Sequence, residues 1–398
     1  MTSKRTYCWV LIMVSLLGCI QKYEPKPSSV YTNALVVEGS LNSGQGQALL
    51  ELSRTGSLSN PTQMPEDKAT VSVQGSDGTN YSLSEVSIGT YTAQNLNLDS
   101  SKQYRLLITT SGGDNYASDF VSIIPNPPID SINYQSETDG SVDVWVYTHN
   151  PLNNTRYYQW EFGETWEFHS AYASSLRYDT AFGANGDSIY LTPSILQLAT
   201  ALPIDSSIYR CWQFDSSSLL LIGNSVALST DAISLPITNI PAGSQKLSFL
   251  YSINIRQFGW SQAGYQFLQA MKTNTEMLGS IFGPLPTQLG SNIHCVNNSS
   301  NLVVGYFNIS PQQQQRYFIS NSQLPGWSYN AGCNLQVIDN NSDSIAKYSY
   351  NLLPVQPVDS APVPFDNYHF TILDFSASSA TCVDCALTGT PTKPPFWP

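Results

Sequence analysis

Charge is scarce in this 398-residue chain: Asp, Glu, Lys and Arg together make up 12% of it. The deficit falls on the cations, 17 Lys and Arg against 29 Asp and Glu, for a formal net charge of −12. A surface that gathers phosphates needs the opposite sign, so nucleic acid is set aside as a partner. Histidine is scarcer still. His149, His169, His294 and His369 are the whole set, and no two lie within five residues of each other. A helix-borne His-x-x-x-His metal pair is therefore ruled out. The Gly-x-Ser-x-Gly elbow of a serine hydrolase, phosphate-binding glycine loops and dinucleotide fingerprints are missing too. No apolar run approaches the ~20 residues a membrane-spanning helix needs.

Neutral polarity takes the place of charge. Ser, Thr, Asn, Gln and Gly are plentiful, beside 23 tyrosines and eight tryptophans. This is the composition of an extracytoplasmic β-protein. Tyr and Trp are good strand formers, so most of them are expected in sandwich cores. A minority would serve as stacking platforms for sugars or as contact anchors for a protein partner.

Residues 1–18 read as a lipoprotein signal peptide. Lys4 and Arg5 form the positive start, and Tyr7 to Leu17 is apolar except for Ser15. That run is long enough to engage export and too short to stay in the bilayer. It ends in Leu16-Leu17-Gly18-Cys19, which resembles the lipobox of bacterial lipoproteins, and Cys19 is the expected site of lipid attachment. Several acyl chains at ~0.8 kcal/mol per buried CH₂ hold a protein at a membrane stably. Residues 19–33 follow as a lipidated tether, polar and carrying Pro25 and Pro27, expected to lift the folded part off the lipid surface. Cys19 is not followed by aspartate, so nothing suggests inner-membrane retention, and Lys22 and Glu24 weakly resemble a surface-export signal of Bacteroidota.

The rest reads as mainly β. Residues 34–127 carry seven short strands with turn signals, Asp77-Gly78 among them, as in an immunoglobulin-like sandwich. Tyr104–Thr109 is expected to pair with Tyr116–Ile123. Ile124-Pro125-Asn126-Pro127-Pro128-Ile129-Asp130 then forms a stiff hinge, because proline offers no ladder donor. Residues 128–398 form a larger, irregular β-rich domain. Val142, Val144 and Val146 alternate with polar neighbours, as do Tyr158, Trp160 and Phe162, and Leu247–Ile255 and Leu302–Ile309 read as longer strands. One helix is expected near 262–278, capped by Ser261 and stopped by Gly279.

Removing Cys8 with the signal and assigning Cys19 to lipid leaves Cys211, Cys295, Cys333, Cys382 and Cys385, an odd number that leaves at least one thiol free. Cys382-x-x-Cys385 reads first as half of a structural disulfide, with one of the pair joined to Cys333. Metal and redox readings stand behind it, since no second Cys-x-x-Cys or His pair completes a zinc site.

A resemblance emerges from a series of weak motifs in order. They are Val36-Val37-Glu38-Gly39, Gly89-x-Tyr91, Pro128-Ile129-Asp130-Ser131, Asn274-Thr275-Glu276, Gly279-Ser280-Ile281-Phe282, Gly305-Tyr306-Phe307 and Lys393-Pro394-Pro395-Phe396-Trp397. Together they resemble a Bacteroidota outer-membrane lipoprotein family, a domain of unknown function commonly encoded beside TonB-dependent receptors. The resemblance implies a lipid-anchored accessory protein at the outer membrane, with a TonB-dependent β-barrel as partner, and Lys22 and Glu24 lean towards surface exposure. It carries no catalytic residue, cofactor or metal ligand to transfer.

The residues add two candidates. Ile281, Phe282 and Leu285, in a loop with Pro284 and Pro286, could present a fixed apolar shape to a partner. In extended chain Glu167 and His169 share a face, as a carboxylate–imidazole pair, one edge of a metal site, or simply a polar outer face. Glu161, Glu164 and Glu167 are the carboxylates a glycosidase would draw on. The reading is a non-catalytic binding or accessory subunit, with a cell-surface hydrolase of glycans or peptides as the alternative. Replacing Cys19 with alanine is expected to move the chain from the detergent phase to the aqueous phase on partitioning. Retention in the detergent phase would remove Cys19 as the anchor.

Overall fold

Alternation of apolar and polar side chains at period two makes most of this chain strand, since one face of a sheet can then bury while the other stays wet. The computed structural model describes residues 33–398 apart from 57–61, 183–188, 196–205, 277–289 and 364–365. Cys19, Ile281, Phe282 and Leu285 lie outside the described residues. The chain is mainly β.

The first unit contains β1 (Leu35–Asn42), β2 (Gln47–Arg54), β3 (Met64–Pro65), β4 (Thr70–Gly75), β5 (Asn80–Ser87), β6 (Thr90–Ala93), β7 (Gln103–Thr109), β8 (Asn115–Ser118) and β9 (Val121–Ser122). β5 pairs with β4 over its first half and with β6 over its second, carrying the chain from one sheet to the other. Leu35, Val37, Leu50 and Leu52 meet Val71, Val73, Leu106 and Ile108 in one core, so the unit is a β-sandwich. The expected Asp77-Gly78 turn is present, with Gly78 at φ +87°. Tyr116–Ile123 is two short strands, β8 and β9, both beside β7.

The second unit continues with β10 (Ile129–Ser136), β11 (Val142–Asn150), β12 (Tyr157–His169), β13 (Leu176–Phe182), β14 (Ile189–Ile195), β15 (Arg210–Ser216), β16 (Leu221–Asn224), β17 (Asp231–Ile240) and β18 (Leu250–Trp260). β10, β11 and β17 form one sheet, and β12 with β15, β16 and β18 forms most of another. Val142, Val144 and Val146 on the first face Tyr158, Trp160 and Phe162 on the second, so the supposedly irregular region opens with another sandwich. β18 starts later than expected because Gln245–Leu247 is a 3₁₀ turn. The helix Gln262–Glu276 begins where Ser261 Oγ accepts from the Gly264 amide at 3.1 Å, and it buries Tyr265, Phe267 and Leu268.

The chain then returns to the first unit. β19 (Ile293–Cys295) pairs with β8, while β20 (Val303–Gly305) and β21 (Ile309–Ser310) lie parallel to β1. Ile293, Val303, Phe307 and Ile309 complete the first core. Residues 34–127 are therefore not the whole sandwich, which borrows three strands from beyond the second unit's helix. The expected strand Leu302–Ile309 breaks at Gly305, whose φ is +145° and where a Cβ would stand 2.3 Å from the Val37 carbonyl oxygen. Only glycine allows that approach. β22 (Gln313–Ser320) then joins β18, and β23 (Gln336–Asp339), β24 (Leu352–Val363) and β25 (Asp366–Ser379) make a third sheet.

Two disulfides tie this last part back. Cys333 pairs with Cys382, as expected for one member of the Cys-x-x-Cys, and Cys385 pairs with Cys211. Cys295 is free and buried in the first core.

The proline-rich segment is a pinned joint instead of a hinge. Its prolines donate nothing, yet their carbonyls are all taken: Pro125 by Thr155 Oγ1 at 2.6 Å, Pro127 by Gln257 Nε2 at 2.9 Å, Pro128 by Thr148 Oγ1 at 3.0 Å. Asn126 Nδ2 donates to the carbonyls of Gln257 and Pro311, at 2.7 and 2.8 Å. Gln257 returns a bond to Asn126 Oδ1 at 3.0 Å and accepts from Trp160 Nε1 at 2.9 Å. Gln257 and Trp160 are 0% exposed, so no water can stand in for a lost partner. Gln257→Leu would orphan Asn126 Oδ1, the Pro127 carbonyl and the Trp160 indole at once. It is expected to cost about 3 kcal/mol or more in urea unfolding. A loss under about 1 kcal/mol would show that the joint is not held this way.

Candidate functional site

Fixing the joint fixes the space between the two sandwiches. Along β12, Gln159 and Glu161 point to the sheet face opposite the buried Tyr158 and Trp160, and across the ladder Arg256, Phe258 and Trp260 of β18 share that face. This face looks onto β1 and β2 of the first sandwich across a cleft of about 720 Å³. Val36–Asn42 and Gln47–Leu49 line one side, the helix residues Phe267, Leu268 and Met271 another, and Val304–Tyr306 close an end. β1 is paired to β20 at Leu35–Val37 and to β21 at Leu41–Asn42, so Glu38, Gly39 and Ser40 meet no parallel partner and border the cleft.

The lining mixes rings and amides. Trp260 and Tyr306 lie 6.1 Å apart, and Phe267 and Tyr306 5.7 Å apart, while Gln47, Gln94, Gln159, Asn308 and Gln312 supply neutral donors and acceptors. The charged members are Glu38, Glu161 and Arg256. Arg256 Nη2 stands 2.9 Å from Glu161 Oε2, with both side chains more than a third exposed, so the pair is weak and leaves the guanidinium partly available. Glu38 sits directly opposite Glu51 on β2. Like charges in that register repel.

The three glutamates of β12 do not work together. Glu161 faces the cleft. Glu164 turns to the opposite face, where Lys246 Nζ and the Tyr251 hydroxyl each reach it at 2.5 Å. Burial and that carboxylate push the Tyr251 hydroxyl well above its usual pKa. Glu167 shares a face with Glu161 but stands six residues further on, about 20 Å along the strand. A glycosidase needs two carboxyls ~5–10 Å apart, so this trio does not supply them.

The expected Glu167–His169 pair forms, with Nε2 3.1 Å from Oε1. It is not on a polar outer face, however. The C-terminal segment folds over it: Trp397 Nε1 donates to Glu167 Oε2 at 3.1 Å, and Arg210 reaches both carboxylate oxygens at 2.7 and 2.8 Å. Phe396 lies under the Arg316 guanidinium at 3.5 Å, and Trp397 packs edge-on to Phe318. Burial raises the Glu167 pKa, but the bonds from His169, Arg210 and Trp397 outweigh it and bring the group down to about 2. This is a structural lock. Among the described residues no group of three or more His, Cys, Asp and Glu side chains could hold a metal ion. Cys382 and Cys385 are occupied by their disulfides, which removes the metal and redox readings of that motif in this state. The cleft is what sequence reading missed, because its walls come from strands more than 200 residues apart, such as β1 and β18.

Comparison with known proteins yields one family. The profile described as "Domain of unknown function (DUF4249)" matches residues 20–316. No curated protein matches the chain. Among solved structures, a two-domain fibronectin type-III segment of chicken tenascin aligns with 57% of this chain and 90% of its own, at 11% identity and a TM-score of 0.17. A structure from work on the promiscuous specificity of carbohydrate-binding modules of the β-sandwich superfamily aligns with 56% of this chain and 96% of its own, at 9% identity and a TM-score of 0.14.

The Glu167 lock has a pH signature. Its folded pKa of about 2 lies below the ordinary 4.5, so its stabilisation is full above pH 4.5 and is lost as pH falls towards 2. The difference is worth about 3 kcal/mol. Glu167→Gln should flatten that acid limb in unfolding measured between these two pH values, relative to the unchanged chain. Parallel acid limbs would mean that Glu167 is not depressed.

Proposed function

The chain belongs to the DUF4249 family, and on that premise we propose that it is a lipid-anchored, non-catalytic binding or accessory subunit that uses the cleft between its two sandwiches. The observation that carries this reading is the cleft itself. It is walled by rigid strands, lined by rings and amides, and approached by no histidine or cysteine among the described residues. Preformed walls spare a ligand or partner segment the entropy of ordering the site. The lipobox-like Leu16-Leu17-Gly18-Cys19 supports attachment to lipid, the absence of aspartate after Cys19 accords with the outer membrane, and Lys22 and Glu24 weakly support display on the cell surface. The family resemblance supports a TonB-dependent β-barrel receptor of a Bacteroidota cell as the partner, with this chain as a capture or lid subunit.

Purification of the tagged full chain from native membranes in mild detergent tests this. A TonB-dependent receptor should co-elute. Leu49, 49% exposed on the cleft wall, tolerates a charge without core disruption. Leu49→Asp should reduce co-elution by about tenfold or more if the cleft forms the contact. Isolation only as a free monomer would overturn the receptor reading. Turnover of a glycan or peptide that Glu161→Gln abolishes would replace it with the hydrolase.

A further inference from the structure

We propose that the end of the first sandwich where the chain enters is a lipid-contacting surface, a reading that rests on the Cys19 anchor. The strand registers place several loops at that end. Leu35, which begins β1, lies opposite Arg54, and Arg54 in turn lies opposite Met64 of β3. The β5–β6 turn is beside them, since Leu52 donates to the Gly89 carbonyl at 2.8 Å. The other sheet ends at the same level, because Arg54 Nη1 reaches the Tyr116 hydroxyl at 3.3 Å and Tyr116 faces Cys295. The pinned joint and the second sandwich are at the opposite end.

On these loops Met64, Val86, Ile88 and Val296 are 57%, 63%, 72% and 70% exposed. Val86 is in the last residues of β5, Ile88 is in the β5–β6 turn, Val296 follows β19, and none contributes to the sandwich core. Some of the nearby charges are held, Arg54 with Glu66 at 2.6 Å and Glu85 accepting from the Lys68 and Gly89 amides at 3.0 Å each, while Lys68 and Asp67 form an exposed pair at 3.1 Å. An exposed aliphatic rim suits the headgroup–acyl boundary, where apolar side chains enter by ~5–10 Å.

The chain length sets how far from the lipid this rim can lie. Asn33 is fourteen residues beyond Cys19, and such a segment spans at most about 50 Å. The acylated residue must therefore lie within that radius of the rim. A tether of this length allows the sandwich to stand off from the membrane, but it equally lets the rim settle on it, and the four aliphatic side chains favour contact.

Fluorescent labelling of the full acylated chain tests the contact. A cysteine replacing Ile88 is labelled, with Leu152→Cys as the control. Leu152 is 76% exposed at the joint end, roughly a strand length of 25 Å away. Cys295 is buried and the other described cysteines are paired, so background labelling is read from the unsubstituted chain. The protein is reconstituted in phosphatidylethanolamine–phosphatidylglycerol vesicles containing headgroup-proximal spin-labelled lipid. Position 88 should lose about half or more of its emission and position 152 little of it. If the protein floats with the vesicles but the two positions are quenched alike, the lipid contact is overturned and the anchor stands. If the acyl group is absent and the protein does not float, the anchor reading itself fails. Shielding of position 88 in native membranes from aqueous iodide but not from spin-labelled lipid would assign the rim to a protein partner and overturn the proposal.

Discussion

The buried amide pair of Asn126 and Gln257 is the constraint on which the arrangement of this molecule depends. Each side chain has two faces to satisfy, and each is satisfied by a different part of the chain: the linker, β11, β12 and the return segment at Pro311. Proline-rich linkers usually leave their flanking domains free to move. Here three prolines leave carbonyls without competing amide donors, and the second sandwich supplies side chains to fill them. The desolvated bonds only form together, which makes the joint cooperative. A fixed joint gives a fixed cleft.

The return segment works in the same direction by different physics. Residues 293–310 bury Ile293, Phe307 and Ile309 in the first core, so the second sandwich is inserted between parts of the first. Neither unit can rotate far without tearing strands from the other. Gly305 marks the cost of bringing the backbones together: β20 approaches β1 so closely that no side chain fits, and the next residues leave the ladder. That departure opens the edge of β1 at Glu38–Ser40 onto the cleft.

The long strand β12 shows how one face can serve two ends. Near its start Gln159 and Glu161 border the cleft, while further along Glu167 is sealed beneath Trp397 and His169 packs against Phe249. The seal holds because the last residues are held in place from behind, by Cys385 joined to Cys211 and Cys382 joined to Cys333. Covalent closure of loops restricts the unfolded chain and keeps the tail against the sheet. A carboxylate that looks like a catalytic candidate in the linear chain is thereby committed to structure.

Much of the fold was legible residue by residue. The alternation of Val142, Val144 and Val146, the burial of Tyr158, Trp160 and Phe162, the Asp77-Gly78 turn and the Ser261 cap all follow from local periodicity and local hydrogen bonding. The cysteines announced a disulfide between Cys333 and one member of Cys382-x-x-Cys385, and a thiol left over. What stayed hidden were partners distant in sequence: that β20 lies beside β1, that Cys385 meets Cys211, that Trp397 covers Glu167. Loop-closure entropy rises only slowly with length, so many distant pairings are almost equally affordable to an unfolded chain. The choice among them is made by which surfaces interlock in three dimensions. The sequence by itself therefore determined strand chemistry and composition, and the tertiary structure alone decided the joint, the cleft and the fate of each glutamate.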